Sequence, residues 1–118
     1  MTAARQAAGR DGEERAARWY VDHGYRVVAR NWRCAEGEID LVCVDGAGTT
    51  IVFCEVKARS SARFGTPFEA VTPRKQAKVR ALAARWLREE GVRVRGASVR
   101  FDVAGVVAGT VEVRRGVF

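Results

Sequence analysis

No stretch of this sequence stays apolar for the roughly 20 residues that a bilayer-spanning helix needs, which excludes that kind of membrane protein. The opening residues, MTAARQAAGRDGEER, are polar and charged, without the apolar segment of a secretory signal, so a cytoplasmic location is expected. His23 is the one histidine, which argues against a histidine-rich metal site and against a triad supported by several imidazoles. Cys34, Cys43 and Cys54 show no C-x-x-C spacing, and their odd number argues against a disulfide framework. Cys43 and Cys54 lie in apolar runs and read as buried thiols. Lysine is scarce as well. Of 21 basic residues only Lys57, Lys75 and Lys78 are lysine. Where arginine has so widely taken over, a lysine that stays reads as a compact, titratable ammonium.

What is present fits one soluble domain: 118 residues, 47% hydrophobic and 30% charged. A net charge of +7 makes an anionic partner plausible. Residues 10–23 read as an amphipathic helix with Ala16, Ala17, Tyr20 and Val21 on one stripe. Glu13 falls on that stripe one turn earlier, Glu14 off it, and Gly24 ends the helix. Strands are expected over 25–32, 38–44 and 51–58, the last two joined by the glycine-rich turn DGAGTT. A loop over 59–71 leads to a helix over 73–90, with Thr72 as N-cap, Pro73 in the first position and Gly91 just past the end. One or two further strands follow. The fold class is therefore α/β, a mixed sheet flanked by helices.

Chemistry concentrates in FCEVKA, residues 53–58. Side chains alternate along a strand, so Glu55 and Lys57 share a face. In a symmetric hairpin about DGAGTT, Asp40 comes to lie opposite Glu55. Two carboxylates crowded at the edge of a core repel one another and call for a cation. Oxygen ligands suit a hard divalent ion, Mg²⁺ or Mn²⁺, and Glu13 supplies a third carboxylate if its helix covers the site. Lys57 would then hold a water or stabilise charge developing on a phosphate.

GEIDLV followed by FCEVKAR resembles the D…(D/E)-x-K core of the restriction-endonuclease-like nuclease superfamily. More closely, GEERAARWY, GYRVVARNWR, GEIDLV, CEVKARSSARFG, KQAKVRALAARWL and VRFDV, in that order, are similar to the small bacterial YraN-like proteins, related in fold to archaeal Holliday junction resolvases. The resemblance implies a restriction-endonuclease-like fold and metal-dependent cleavage of DNA, with branched or recombination intermediates as candidate substrates. It implies Asp40 and Glu55 as metal ligands, Glu13 as an additional carboxylate and Lys57 as the catalytic lysine. Lys75 and Gln76 match the family's basic-polar pair on the second helix and are candidates for nucleic-acid contact, with Arg59, Arg74 and Lys78 beside them. The proline that usually precedes the aspartate is replaced by Ile39. A homodimer suits a protein acting on two strands.

Plainer readings stand beside these. Glu55 and Lys57 are also compatible with a solvated i, i+2 ion pair, and Glu13 with a first-turn helix carboxylate. Lys75 and Gln76 are compatible with stems covering the end of a helix core. Trp19, Trp32 and Trp86 read as packing residues, and Asp102 as an outward strand residue. The alternative function is a nucleic-acid-binding module with a nuclease-like fold and no turnover. A scaffold without any nucleic-acid role is the third.

Overall fold

The computed structural model describes residues 3–61, 63, 65–90 and 97–118. In chain order come α1 (Ala3–Asp22), β1 (Arg26–Cys34), β2 (Gly37–Val44), β3 (Thr50–Arg59), a 3-10 turn at Pro67–Ala70, α2 (Pro73–Glu90), β4 (Ser98–Val107) and β5 (Thr110–Arg114). The five strands form one mixed sheet in the order β1-β2-β3-β4-β5. β1, β2 and β3 run antiparallel as successive hairpins, whereas β3 and β4 pair in parallel across the α2 crossover. β3 is thus a central strand covered on both faces, as its unbroken apolar run requires.

Strand alternation assigns the two faces. Ile51 and Phe53 of β3 join Val42, Val44 and Phe101 under Val79, Leu82, Ala83 and Trp86 of α2. Val52 and Cys54 join Leu41, Cys43 and Ala104 under Ala16, Ala17 and Tyr20 of α1. Ile39 packs with the α2 face although Leu41, two residues on, packs with the other. The regular alternation of β2 is therefore broken beside Asp40.

α1 approaches the sheet along Gly12, Ala16 and Tyr20, each four residues apart. A Cβ on Gly12 would lie 2.7 Å from the Cβ of Ala58, so a helix-weakening glycine is the residue that permits close contact here. This narrow line corrects one expectation. Val21 is 54% exposed rather than part of the buried stripe, because the line of contact runs through Gly12, Ala16, Ala17 and Tyr20. α1 also starts earlier than residue 10. The alanines of its first turns favour helix by intrinsic propensity without forming an apolar stripe. At its other end Tyr25 N–H bonds to Tyr20 O and Gly24 N–H to Val21 O, with Gly24 at φ +86°, a Schellman closure. α2 spans the residues expected. Thr72 Oγ1 accepts the Lys75 N–H at 3.3 Å as its N-cap, while Gly91 lies outside the described residues.

Asp102 is the larger correction. Parity suggested an outward position, yet it is fully buried beneath α1. Tyr20 Oη donates to its Oδ2 at 2.7 Å, and Arg100 donates from Nε to Oδ1 and from Nη2 to Oδ2, both at 2.9 Å. Gly116 N–H completes the set at 3.0 Å on Oδ1, and Arg100 also reaches Tyr25 Oη. Burial, then Cys54 and Asp102, push the Tyr20 phenol far above its ordinary range, so it stays a donor.

Candidate active site

Where β2 and β3 part, main-chain pairing gives way to a side chain. The regular register ends at Leu41↔Cys54. One residue further, Asp40 Oδ2 accepts the Val56 N–H at 2.8 Å and so takes the place of a ladder carbonyl. Asp40 is fixed in this way beside the carboxylate of Glu55, and each is only 7% exposed. Counting outward from the glycine-rich turn had set these two residues opposite one another, and the last registered pair, Leu41↔Cys54, lies one step short of that position.

Glu55 faces α2, and two ammonium groups converge on it. Lys57 Nζ and Lys75 Nζ each lie 3.4 Å from Glu55 Oε1. Lys57 arrives from the same strand face, two residues on, and Lys75 from the first turn of α2, where the Thr72 cap and Pro73 fix the helix start. The next residue, Gln76, donates from Nε2 to Val71 O at 3.2 Å, which ties the helix start to the preceding loop.

The electrostatics follow from crowding. Burial, then the neighbouring Glu55 charge, raise the Asp40 carboxyl to about 7, against the opposing hydrogen bond from Val56 and with smaller contributions from Glu13 and Glu38. Burial and the adjacent Lys75 pull Lys57 below an ordinary lysine despite the attraction of Glu55. For Lys75, burial acts downward, but its hydrogen bond with Lys57 and the Glu55 charge outweigh it and raise it. Two carboxylates and two ammoniums thus share one patch at the end of the sheet.

The other residues singled out in the sequence lie around this centre. Glu13 is half-buried on α1 and borders a small cavity with Arg10, Arg30, Asn31 and Leu41. Asp40 senses its charge, but among the described residues no group of three or more His, Cys, Asp or Glu side chains comes close enough to hold a metal ion. Arg59 and Arg74 are exposed, at the end of β3 and the start of α2. Lys78 lies one turn further along α2, its stem beside Gly37. His23 is exposed and stacks on Trp19 at 3.8 Å, and Trp86 is buried against Phe53.

Against this geometry the relatives can be set. The model of the uncharacterised protein family UPF0102 matches residues 12–106. The chain belongs to this family. A UPF0102 protein of Nocardioides sp. is 52% identical over 105 residues, 89% of this chain and 82% of the relative. One from Beutenbergia cavernae is 51% identical over 119 residues, 97% of this chain and 98% of its own length. One from Moorella thermoacetica is 47% identical over 125 residues, the full length of both. The UPF0102 match encloses Glu13, Asp40, Glu55, Lys57, Lys75 and Gln76, as well as the buried Asp102.

The raised Asp40 carboxyl has a consequence for stability without metal. Its unfolded value is about 3.9, below the folded value of about 7, so between these pH values the folded chain binds the extra proton. That contribution is complete below about pH 4 and is lost as pH rises through about 7. Asp40→Asn keeps an acceptor for Val56 and removes the titration. In EDTA the variant is expected to exceed wild type in unfolding free energy by on the order of 2 kcal/mol more at pH 8 than at pH 5. Parallel stability curves from urea unfolding would overturn this account of the site.

Proposed function

We propose that this protein is a divalent-metal-dependent endonuclease of restriction-endonuclease-like type that hydrolyses phosphodiester bonds in DNA. The observation that carries the reading is the meeting of Asp40, Glu55, Lys57 and Lys75, from three elements, at one end of the sheet. The donor set fits Mg²⁺ or Mn²⁺. Asp40 Oδ2 is taken by Val56, which leaves Oδ1 and the Glu55 carboxylate as two hard oxygen donors. Mg²⁺ is commonly held by one or two carboxylates, with water and substrate phosphate filling the remaining positions. Such an ion, when bound, polarises the phosphate and lowers the pKa of a coordinated water.

The chain's own residues do the rest. Asp40 and Glu55 would hold the ion, with Glu13 assisting through its charge from α1. Lys57, already pulled down by burial, positions the water or the scissile phosphate and releases a proton more readily than an exposed lysine. Lys75 neutralises Glu55 and faces the incoming backbone. Gln76, Arg59, Arg74 and Lys78 extend this into a basic approach for phosphates, consistent with the +7 charge. Branched DNA and action as a homodimer belong to the same reading.

The test is incubation of purified protein with linear, nicked and four-way DNA in Mn²⁺. Asp40→Ala is expected to abolish both cleavage and the Mn²⁺-dependent rise in melting temperature. Salt-sensitive DNA binding with no cleavage and no metal shift in the wild type would favour the non-catalytic binding module instead.

A further inference from the structure

A cavity of about 170 Å³ opens over β4, next to the strand that carries Glu55, and apart from Gln76 none of its lining residues enters the scheme above. Its lining includes Phe68, Gln76, Val103, Arg114, Val117 and Phe118. Val103 is the β4 partner of Glu55, so the cavity lies about one strand spacing, roughly 4.8 Å, from the catalytic strand. Gln76 adjoins Lys75. The site is therefore contiguous with the place a scissile phosphate would occupy.

Its walls are held in place. The Arg114 guanidinium lies 3.7 Å over the Phe68 ring. Phe118 stacks on Phe101 at 5.1 Å with 24° between the planes, and the Arg80 guanidinium sits over both rings. Val117 N–H bonds to Phe101 O at 2.9 Å, and Gly116 N–H bonds to the buried Asp102. Deep charge thus anchors the segment that forms one wall.

The lining suits one chemical class. Two aromatic rings and a planar guanidinium border the cavity, with Arg114 and Phe68 covering one face of each other. Gln76 bonds to Val71 O through its amide nitrogen and, among the described residues, keeps its amide oxygen free, and no Asp or Glu side chain is among the lining residues. The volume is below the roughly 300–1,000 Å³ of clefts that hold drug-sized ligands, and is on the scale of one flat heterocycle. We infer that this cavity receives a single unstacked nucleobase next to the cleaved phosphate, so that the substrate is DNA with an unpaired or extruded nucleotide at a branch, gap or flap. This rests on the nuclease reading. Aromatic stacking and amide contact are how proteins seize unpaired bases.

The probe is flapped DNA carrying 2-aminopurine at successive positions near the branch, titrated with wild-type protein in EDTA so that no turnover occurs. Expected is a fluorescence change confined to one position, and a 5- to 50-fold loss of affinity when that nucleotide is made abasic. Val117→Leu, which narrows the cavity, and Phe118→Ala, which removes a ring, are expected to erase the signal while leaving affinity for fully paired duplex unchanged. Equal binding of abasic and base-bearing DNA, with both variants behaving as wild type, overturns the inference. If that result accompanies Asp40-dependent cleavage in Mn²⁺, the nuclease reading survives without it. A position-specific signal without cleavage leaves the base site standing and sinks the nuclease reading.

Discussion

Lys57→Ala is expected to lower the rate of Mn²⁺-dependent DNA cleavage by at least about 100-fold, the scale on which general acid–base groups and charge-stabilising donors act. Its effect on metal binding should be small. Lys57 donates nothing to an ion, and after its removal Lys75 still lies 3.4 Å from Glu55 Oε1. The Mn²⁺-dependent rise in melting temperature is therefore expected to persist in Lys57→Ala and to vanish in Asp40→Ala. This split separates a group that acts on substrate from one that holds the ion. Lys57→Arg keeps the positive charge but exchanges a compact ammonium, partly buried and lowered in pKa, for a larger group that does not deprotonate. Little rescue is expected from it. Cleavage by Lys57→Ala within twofold of wild type, measured in single turnover, would remove this lysine from the chemistry.

Asp102→Ala is expected to destabilise the fold by about 3–5 kcal/mol, as when one partner of a buried charge pair is deleted. The aspartate accepts from Tyr20, twice from Arg100 and from Gly116 N–H, and its truncation leaves the buried Tyr20 hydroxyl and the part-buried Arg100 guanidinium without their acceptor. Tyr20→Phe removes a single bond and is expected to lower stability by about 1 kcal/mol, since the carboxylate keeps its other partners. Urea unfolding of the two variants checks the ranking. A loss below 1 kcal/mol for Asp102→Ala would show that the network contributes little.

The sequence announced the meeting of Asp40 and Glu55 better than it announced this network, and the reason lies in where each charge sits. Glu55 interrupts an apolar run in a strand bounded by a clear turn, so parity and counting from DGAGTT sufficed to find Asp40. The α2 boundaries were legible because Thr72 and Pro73 punctuate them. Asp102 follows Arg100 at i+2 and looks like a surface ion pair. Yet RFDVAGVV is as apolar as β3, and residues 101–106 are all buried. A charge inside such a run needs buried partners, and that signal was available. What counting along one strand does not supply is the identity of those partners, because Tyr20 comes from a helix 82 residues away and Gly116 from the segment after β5. The interruption of β2 alternation at Asp40 was equally hidden, since it depends on a side chain replacing a main-chain acceptor. Lys75 was placed on the correct side of its helix, but its approach to the same oxygen as Lys57 is a matter of tertiary packing.

The parallel partnership of β3 and β4 also governs timing. Thr50 is matched with Ser98 and Arg59 with Val107, so during synthesis the strand that carries Glu55 and Lys57 lacks its second neighbour until β4 has left the ribosome. Contacts this distant in sequence form late and slow the search for the native state. A nascent copy still short of β4 carries these acids and amines on a strand with one edge unpaired.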